Sequence, residues 1–342
     1  MPKQFSAPVG ASSAVQTARA ILFLQLGGPE TLDEVPNFLY RLFSDPEVIR
    51  ARPALLRKVI AAGIAFGRTK ASRKLYASIG GGSPIRRLTE EQAEGTQRIL
   101  REEGRDAVVR SAMTCSAPLV EDVVRELAGR GVRRFLSFPL YPQYSLTTTK
   151  GALDRARGAV RRYALGAALE ELSSWPTHPL FVEAHAEGIR EELAKFPDPR
   201  AEAVHLLFSA HSIPKKLVTK EGDPYEAEVE ASVAAILARL AWSGPSSLAY
   251  QSKLGPVEWL GPPTLKVIRE LGGRRQAQVL VVPIAFVTDH VETLYEIDQL
   301  FADEARAAGV AHFRRTRGLN DRPTFLRALA DLARSCSRFW AA

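Results

Sequence analysis

Strand-like apolar runs alternate with helical segments along most of this 342-residue chain, and that alternation restricts the fold more than any other feature. The first series contains the runs ILFLQLGG (21–28), AVVRSAMT (107–114) and RRFLSFPLY (133–141). The segment between the last two runs, PLVEDVVRELAGRG, has the apolar spacing of an amphipathic helix. Strands separated by helices in this way predict a parallel sheet with crossover helices.

A second series repeats this plan after residue 173, with the runs AVHLLFSAHS, SSLAYQSK and AQVLVVPIAFV. ILFLQLGG resembles HLLFSAHS, and RRFLSFPLYPQYS resembles AQVLVVPIAFVTDH, because each is an apolar strand that leads into a loop with the features of a functional site. We therefore predict an α/β fold of two similar doubly wound domains, with parallel sheets facing a central cleft. The predicted division is a disordered leader over 1–19, domains over 20–172 and 173–318, and a closing C-terminal helix over 319–342.

Two helix starts can be predicted from local signals. The segment 29–45 has helical periodicity, and Pro29 suits a first helical turn. Thr89 opens the sequence T-E-E-Q, which resembles a capping box and predicts a helix over roughly 89–103.

Composition excludes several classes of protein. No run approaches the ~18 consecutive apolar residues of a membrane span, and VIAAGIAFG is far too short. The two cysteines, Cys115 and Cys336, predict neither a disulfide framework nor a zinc site, and we expect both to be buried, reduced thiols. The chain also lacks G-x-G-x-x-G, a complete phosphate loop and the G-x-S-x-G of hydrolases.

Positive charge is concentrated in one part of the chain. The net charge is +8, and the ten basic residues between Glu47 and Glu90 are not interrupted by any acid. Such a segment suits an anionic lipid surface, an acidic small molecule or nucleic acid, and a solvated basic helix is an equally simple interpretation. Few aromatic residues accompany the charges, so binding to single-stranded nucleic acid is not favoured.

The stretch FVTDHVETLYEID (286–298) carries the densest group of chemically active side chains. At ~100° per residue, an α-helix would place Asp289, Glu292, Glu296 and Asp303 within roughly a 60° sector. An ordinary surface helix with an acidic face explains that pattern equally well. The position of the acids favours a site, because they follow an apolar strand and His211 ends an equivalent strand of the same half.

These residues belong to a set of motifs that strongly resembles the ferrochelatases, which insert ferrous iron into a porphyrin. The matching stretches include LQLGGPETLDEVPNFLYRLFSDP, LYASIGGGSPIRRLTEEQ, FPLYPQYSLTTTKG, LLFSAHSIPKKLV, AYQSKLGPVEWLGPPT and VPIAFVTDHVETLYEID. Together they cover the chain from about residue 20 to 335. The resemblance implies a chelatase-like fold of two similar domains, with the porphyrin in the cleft between them.

The resemblance also implies roles for particular residues. His211 and Glu292 match the residues associated with metal binding and proton abstraction. Asp289, His290 and Glu296 resemble the acidic path beside them. Further matches are cleft positions expected to contact the macrocycle or its propionates: Tyr76, Arg68, Ser83 and Trp259. Neutral imidazole suits proton abstraction, and imidazole with carboxylate suits ferrous iron, so the main role of His211 stays open.

The implied reaction converts Fe²⁺ and protoporphyrin IX to protohaem, with release of two protons, as the last step of haem biosynthesis. Coproporphyrin as substrate and a non-catalytic tetrapyrrole or metal carrier are the alternatives, and the stretches WPTHPL and YPQYSLTTT favour protoporphyrin. Some members hold a 2Fe–2S cluster on four cysteines, but Leu146 stands where they have one, so no cluster is expected. Thr114-Cys115 departs from the larger polar pair of the animal enzymes.

The expected setting follows from the same comparison. Porphyrin and iron are the expected partners, nucleic acid is not, and monomer and homodimer both remain open. The expected location is the cytoplasm, with peripheral contact on the inner face of an anionic membrane as a further option.

Overall fold

Two four-stranded parallel sheets form the framework of the protein. The structure is a computed structural model and describes residues 18–49, 51–253 and 255–341, so positions 1–17 of the predicted leader lie outside the described residues. The strands of the first sheet are β1 (Arg19–Gln25), β2 (Val108–Met113), β3 (Arg134–Pro139) and β4 (Ala168–Glu171). Those of the second are β5 (Val204–His211), β6 (Ser246–Gln251), β7 (Gln278–Pro283) and β8 (His312–Arg315).

The strand order is the same in both sheets. It is β2-β1-β3-β4 in the first and β6-β5-β7-β8 in the second, and every pairing is parallel. The prediction of a doubly wound α/β fold with two similar halves is therefore confirmed. The edge strands β4 and β8 were not predicted, because their sequences ALEE and HFRR lack the apolar run of a buried strand.

Helices cover the faces of both sheets. They are α1 (Val35–Ser44), α2 (Ala54–Ser78), α3 (Ile85–Glu102), α4 (Val120–Gly129), α5 (Thr149–Tyr163), α6 (Pro179–Leu193), α7 (Lys215–Glu221), α8 (Tyr225–Leu240), α9 (Thr264–Gly273), α10 (Ala302–Ala307), α11 (Pro323–Ser335) and α12 (Ser337–Trp340). A π-helix over Glu292–Phe301 precedes α10.

Two predicted helix starts are wrong. The helix expected from Pro29 begins at Val35, and Pro36 takes the first-turn position that suits proline. The helix expected from Thr89 begins at Ile85. The Thr89 hydroxyl donates to the Ile85 carbonyl from within the helix, so it satisfies an interior carbonyl and caps nothing.

One apolar core joins the two halves. It contains Phe23 and Phe138 of the first sheet together with Phe208 of the second. Trp175, in the connection between the halves, makes an edge contact with Phe138 and stacks on Phe325 of α11 at 6.2 Å between ring centroids. Because these rings are buried in one cluster, the carboxyl ends of the two sheets are held in a fixed relation.

The C-terminal segment closes the structure onto the first sheet. Helix α11 contacts α3 and α6, and α12 contacts β3 and β4. The Arg19 guanidinium at the start of β1 donates to the carbonyls of Phe339 and Trp340. The first strand and the last helix are thus joined by hydrogen bonds as well as by packing.

Candidate active site

Four chemically active side chains meet at the carboxyl ends of the second sheet. His211 is the last residue of β5, and Ser252 follows the last residue of β6. The loop after β7 carries His290 and leads into the π-helix, which begins at Glu292. β5 is paired with both β6 and β7, so the ends of these strands are brought side by side. This is the edge at which open parallel sheets bind ligands.

The carboxylate of Glu292 lies between two imidazoles. His211 Nε2 is 3.7 Å from Glu292 Oε2, and His290 Nε2 is 3.8 Å from Oε1. Phe286 makes edge contacts with both imidazole rings. The Nε2 to carboxylate distances exceed those of direct hydrogen bonds, so a proton, a metal ion or a water molecule can be shared between the groups.

Hydrogen bonds fix the tautomer of both histidines. His211 Nδ1 lies 2.5 Å from the carbonyl oxygen of Ser212, and His290 Nδ1 lies 3.0 Å from that of Thr288. A carbonyl oxygen only accepts, so Nδ1 carries the hydrogen in each ring. Nε2 of each ring therefore faces Glu292, where it offers a lone pair to a proton or a metal ion when the imidazole is neutral and an N–H to the carboxylate when it is protonated.

Glu292 and Glu296 are linked through Ser252. The Ser252 hydroxyl lies 2.5 Å from Glu296 Oε2 and 3.2 Å from Glu292 Oε2, and the Gln251 amide donates to Glu296. Burial opposes ionisation of Glu292, but the charges of His211 and His290 outweigh it and lower the pKa of Glu292. Burial, and then the charge of Glu292, raises the pKa of Glu296. The pair thus combines a stable anion with a readier proton acceptor.

The π-helix corrects the predicted geometry of the acidic row. Its i→i+5 bonding makes a wider turn than the α-helix on which the 60° sector was based. Asp289 precedes the π-helix, and Asp303 lies on α10, where it is exposed and paired with Arg306. Only Glu292 and Glu296 of the predicted row share the site. Segments of π-helix are rare and frequently occur at functional sites.

Asp289 lies in a neighbouring buried cluster and does not face the two imidazoles. Its oxygens accept from Arg315, from the Asn320 amide at 2.8 Å, from the Thr293 hydroxyl and from the Gly318 amide. Burial opposes its ionisation, but the charge of Arg315 and these hydrogen bonds outweigh it and lower the pKa of Asp289. A carboxylate with every oxygen engaged suits anchoring better than proton transfer.

Two of the predicted cleft residues lie close to the site. Tyr76 is buried near the end of α2 in one cluster with Val291, and burial, then the charge of Glu292, raises the pKa of its hydroxyl. Trp259 is half-buried and forms a backbone bridge with Pro214, in the loop that follows His211. Its indole N–H is buried and lacks a hydrogen-bond partner among the described residues.

The other two predicted cleft residues contact parts of the first half of the chain. The Arg68 guanidinium is exposed and covers the ring of Phe43 at 5.7 Å. Ser83 is buried beneath Gly28, where an added Cβ would come within 2.7 Å of the Ser83 Cβ. Ser83 therefore shapes the contact between the loop after β1 and the loop before α3.

Sequence reasoning missed Ser252 and Gln251. Both lie at the end of β6 in the stretch AYQSK, and Ser252 has a positive φ of 61°. The rule that directed attention to His211, a polar residue at the carboxyl end of a predicted strand, applies equally to these two. That rule is the signal that would have found them.

The imidazole and carboxylate groups of the site suit a transition metal ion that binds as a substrate. Imidazole nitrogen and carboxylate oxygen are ligands for ferrous iron, and the lone pair of His211 Nε2 faces Glu292. Among the residues that the structure describes, no group of three or more His, Cys, Asp and Glu side chains is arranged to hold a metal ion. His211 and Glu292 thus offer two protein donors toward one space.

The fold and the sequence both match known proteins. SirB from Bacillus subtilis, solved with Fe³⁺, superposes with a TM-score of 0.55 at 12 % identity over 93 % of this chain and 95 % of that one. The ferrochelatase family model matches residues 18–336. The ferrochelatase of Synechococcus sp. strain JA-2-3B'a(2-13) is 46 % identical over 92 % of this chain and 91 % of its own. That of Synechococcus sp. strain CC9311 is 43 % identical over 91 % and 81 %.

The paired α/β halves, the histidine–carboxylate site and these matches define a metal chelatase, a lyase. Within that class, the chain belongs to the ferrochelatase family.

Proposed function

We propose that this protein inserts Fe²⁺ into protoporphyrin IX to form protohaem, the last step of haem biosynthesis. Membership of the ferrochelatase family supports the reaction. The observation that carries the proposal is the position of His211 Nε2, which lies 3.7 Å from the Glu292 carboxylate while Nδ1 is bonded to the Ser212 carbonyl. A proton acceptor and a metal ligand set are thereby available in one place.

The reaction balances if two pyrrole protons leave as the dication enters. His211 Nε2 accepts a pyrrole proton. Nδ1 carries the hydrogen that is donated to the Ser212 carbonyl, so in the neutral ring Nε2 keeps its lone pair. Glu292 stays anionic and attracts the metal ion. Glu296, whose pKa is raised, receives protons across the Ser252 hydroxyl and leads them away from the ring. The two carboxylates therefore have different roles because their surroundings differ.

The porphyrin lies against apolar and aromatic walls in this proposal. Tyr76, buried with Val291, and Trp259, bridged to Pro214 after His211, are the aromatic residues that we propose press on the flat ring and bend its nitrogens out of plane. Arg68 is exposed at the edge of α2, where its guanidinium can pair with an anionic propionate. We also propose that iron enters only as substrate and that no 2Fe–2S cluster is held, since the chain has two cysteines, both buried, and such a cluster normally takes four.

An anaerobic insertion assay tests the reaction. Purified protein, Fe²⁺ and protoporphyrin IX should give the absorption spectrum of haem, and His211→Ala and Glu292→Gln should lower kcat by about 10²–10⁴-fold. His312→Ala and Glu304→Gln change the same residue types on the surface and should leave kcat unchanged. Full activity in both site variants would end the assignment of the site.

The same assay separates the alternatives. A higher kcat/KM with coproporphyrin than with protoporphyrin would identify coproporphyrin as the preferred substrate. Tight tetrapyrrole binding with no metal insertion would instead favour a carrier. A carrier does not explain why a base, a metal ligand pair and a proton relay lie together at one sheet edge, whereas the choice between the two porphyrins rests on the measured kcat/KM values.

We further propose a cytoplasmic protein that contacts an anionic membrane surface through α2. Leu55, Val59 and Phe66 on this helix are 73 %, 63 % and 89 % exposed, and basic residues surround them. Exposed apolar residues within a basic helix suit the interface of anionic lipids.

No helix among the described residues is long and apolar enough to cross a membrane.

Vesicle sedimentation tests the membrane contact. Binding to phosphatidylglycerol-containing vesicles should fall when Val59 and Phe66 are both replaced by serine. Leu165→Ser removes an equally exposed apolar side chain from a loop outside α2 and should not reduce binding. Equal binding by all three proteins would exclude contact through α2.

A further inference from the structure

Arg315 joins two positions on either side of Glu292. It is the last residue of β8, and its side chain is only 7 % exposed. Nη1 donates to Asp289 Oδ1 at 2.8 Å, while Nε and Nη2 donate to the two oxygens of Asp298, both at 2.8 Å. We call this set of three side chains the Arg315 clamp. A planar guanidinium makes such a fork, and a lysine ammonium does not.

The Asp289 end of the clamp is held from several directions. The Asn320 side chain donates to Asp289 Oδ2 and accepts from the Asp289 amide at 2.9 Å. The Gly318 amide donates to the same carboxylate, and an added Cβ at Gly318 would come within 2.8 Å of the Asp289 nitrogen. The segment after β8 is therefore fitted closely around the residue that precedes His290.

A short chain of hydrogen bonds leads from the clamp to the site. The Thr293 hydroxyl donates to Asp289 Oδ1 at 2.9 Å and accepts from the His290 amide at 3.0 Å. Thr293 directly follows Glu292 in the π-helix, and Asp298 lies two residues beyond Glu296 in the same helix. The clamp is thus connected to the chain at positions before Glu292, between Glu292 and Glu296, and after Glu296. It does not contact the carboxylate oxygens of Glu292 or Glu296.

We propose that Arg315 is a positioning residue that holds the π-helix in its wide form and so sets the spacing between Glu292 and Glu296. This inference rests on the proposed function for its effect on catalysis. A π-helix is rare because α-helical bonding competes with it at every residue. A buried guanidinium that must reach Asp289 and Asp298 together favours the backbone arrangement in which both contacts are made. Ser252 can then bridge the two carboxylates.

Hydrogen exchange tests the clamp without reference to activity. Arg315→Lys keeps the positive charge but loses the forked pair of hydrogen bonds. Asp298→Asn is a second variant, at a more exposed side chain, and it keeps the test informative if Arg315→Lys does not fold. Arg314→Lys is the matched control, since Arg314 is the adjacent residue of β8 and also bonds a carboxylate, that of Glu192, through Nε and Nη2. Amides of 292–301 should lose protection in the first two variants and keep it in the third. Equal protection in all of them would overturn the proposal.

Steady-state kinetics test the consequence for the site. We expect the KM for Fe²⁺ to rise about 10- to 100-fold in Arg315→Lys, as for partners that orient metal ligands, while the KM for porphyrin changes less than about twofold. A fall in kcat with both KM values unchanged would indicate only a smaller folded fraction and would overturn the positioning role. If the wild type inserts no metal, the proposed function fails, and the exchange comparison alone decides the clamp.

Discussion

His211 Nε2 and Glu292 Oε2 face each other at 3.7 Å, although one residue ends β5 and the other begins the π-helix after β7. The imidazole is held by its Nδ1–H bond to Ser212, and the carboxylate is approached from its other side by His290. The two groups are therefore oriented before any substrate arrives. Preorganised charges and dipoles are usually the largest single contribution that a protein makes to catalysis.

Replacement of Glu292 should change the pKa of His290. Burial alone would lower the pKa of His290, but the negative charge of the nearby Glu292 outweighs burial and raises it. In Glu292→Gln the His290 ring stays buried but the negative charge beside it is lost, so the pKa of His290 should fall. NMR titration of the imidazole signals measures this, with Glu304→Gln as the surface control. An unchanged His290 pKa in Glu292→Gln would contradict the pairing.

Removal of the Ser252 hydroxyl should move the acid limb of the pH–rate profile. The hydrogen bond from Ser252 lowers the pKa of Glu296 against the effects of burial and of Glu292. In Ser252→Ala the pKa of Glu296 should rise further, so the carboxylate is protonated at a higher pH and activity should decline at a higher pH. Ser246→Ala, at the exposed start of the same strand, should leave the profile in place. A profile that stays in place or shifts toward lower pH would contradict the effect of the Ser252 hydrogen bond on Glu296.

Much of the framework could be predicted because buried parallel strands have near-continuous apolar sequences. β5 and β7 are buried almost throughout, and both were recognised as strands from their sequences. The rule that polar groups at the ends of such strands meet also brought His211 and Glu292 together. The catalytic roles inferred for these two residues stay predictions until the variants are measured.

Features that depend on distant partners could not be predicted. Periodicity analysis assumes ~100° per residue, so it cannot detect the π-helix over Glu292–Phe301 or show that Asp289 and Asp303 lie outside that helix. Asp289 was placed among the site residues because it resembles a position in the acidic path of the ferrochelatases. Its hydrogen-bond donors Arg315 and Asn320 come much later in the chain, so the motif does not reveal them. A carboxylate near a catalytic sequence motif is indistinguishable from a catalytic one until its hydrogen-bond donors are known.

Loss of the Gln92 amide should weaken the connection between the two halves. Gln92 is fully buried in α3, and its amide nitrogen donates to the Thr288 hydroxyl at 3.1 Å and to the Asn320 carbonyl at 3.0 Å. Gln92→Leu leaves these buried acceptors without that donor, so the free energy of unfolding should fall by about 1–3 kcal/mol. Urea denaturation of Gln92→Leu, Thr288→Val and the double variant measures the coupling. Strict additivity would show that Gln92 and Thr288 do not stabilise each other.

His185 should make the stability of the fold depend on pH. It is buried in α6 with an edge contact to Phe181, and its Nε2 has no partner among the described residues. Burial, with a smaller effect of the Arg322 charge, lowers the pKa of His185 to about 3. The unfolded chain, with a histidine pKa of ~6.5, binds the proton that the folded chain rejects. Stability is therefore fully present above pH ~6.5 and is lost as the pH falls toward the folded pKa.

Replacement of His185 by leucine should remove that part of the pH dependence. Between pH ~6.5 and ~4, the free energy of unfolding of the wild type should fall by up to ~1.4 kcal/mol per pH unit more than that of His185→Leu. Urea denaturation at pH 7, 6, 5 and 4 measures both slopes, and all other titrating groups cancel in the difference. The same change at exposed His312 should reproduce the wild-type slope. Parallel curves for wild type and His185→Leu would mean that the imidazole stays protonated inside the fold, because only a proton bound equally by both states leaves the slope unchanged.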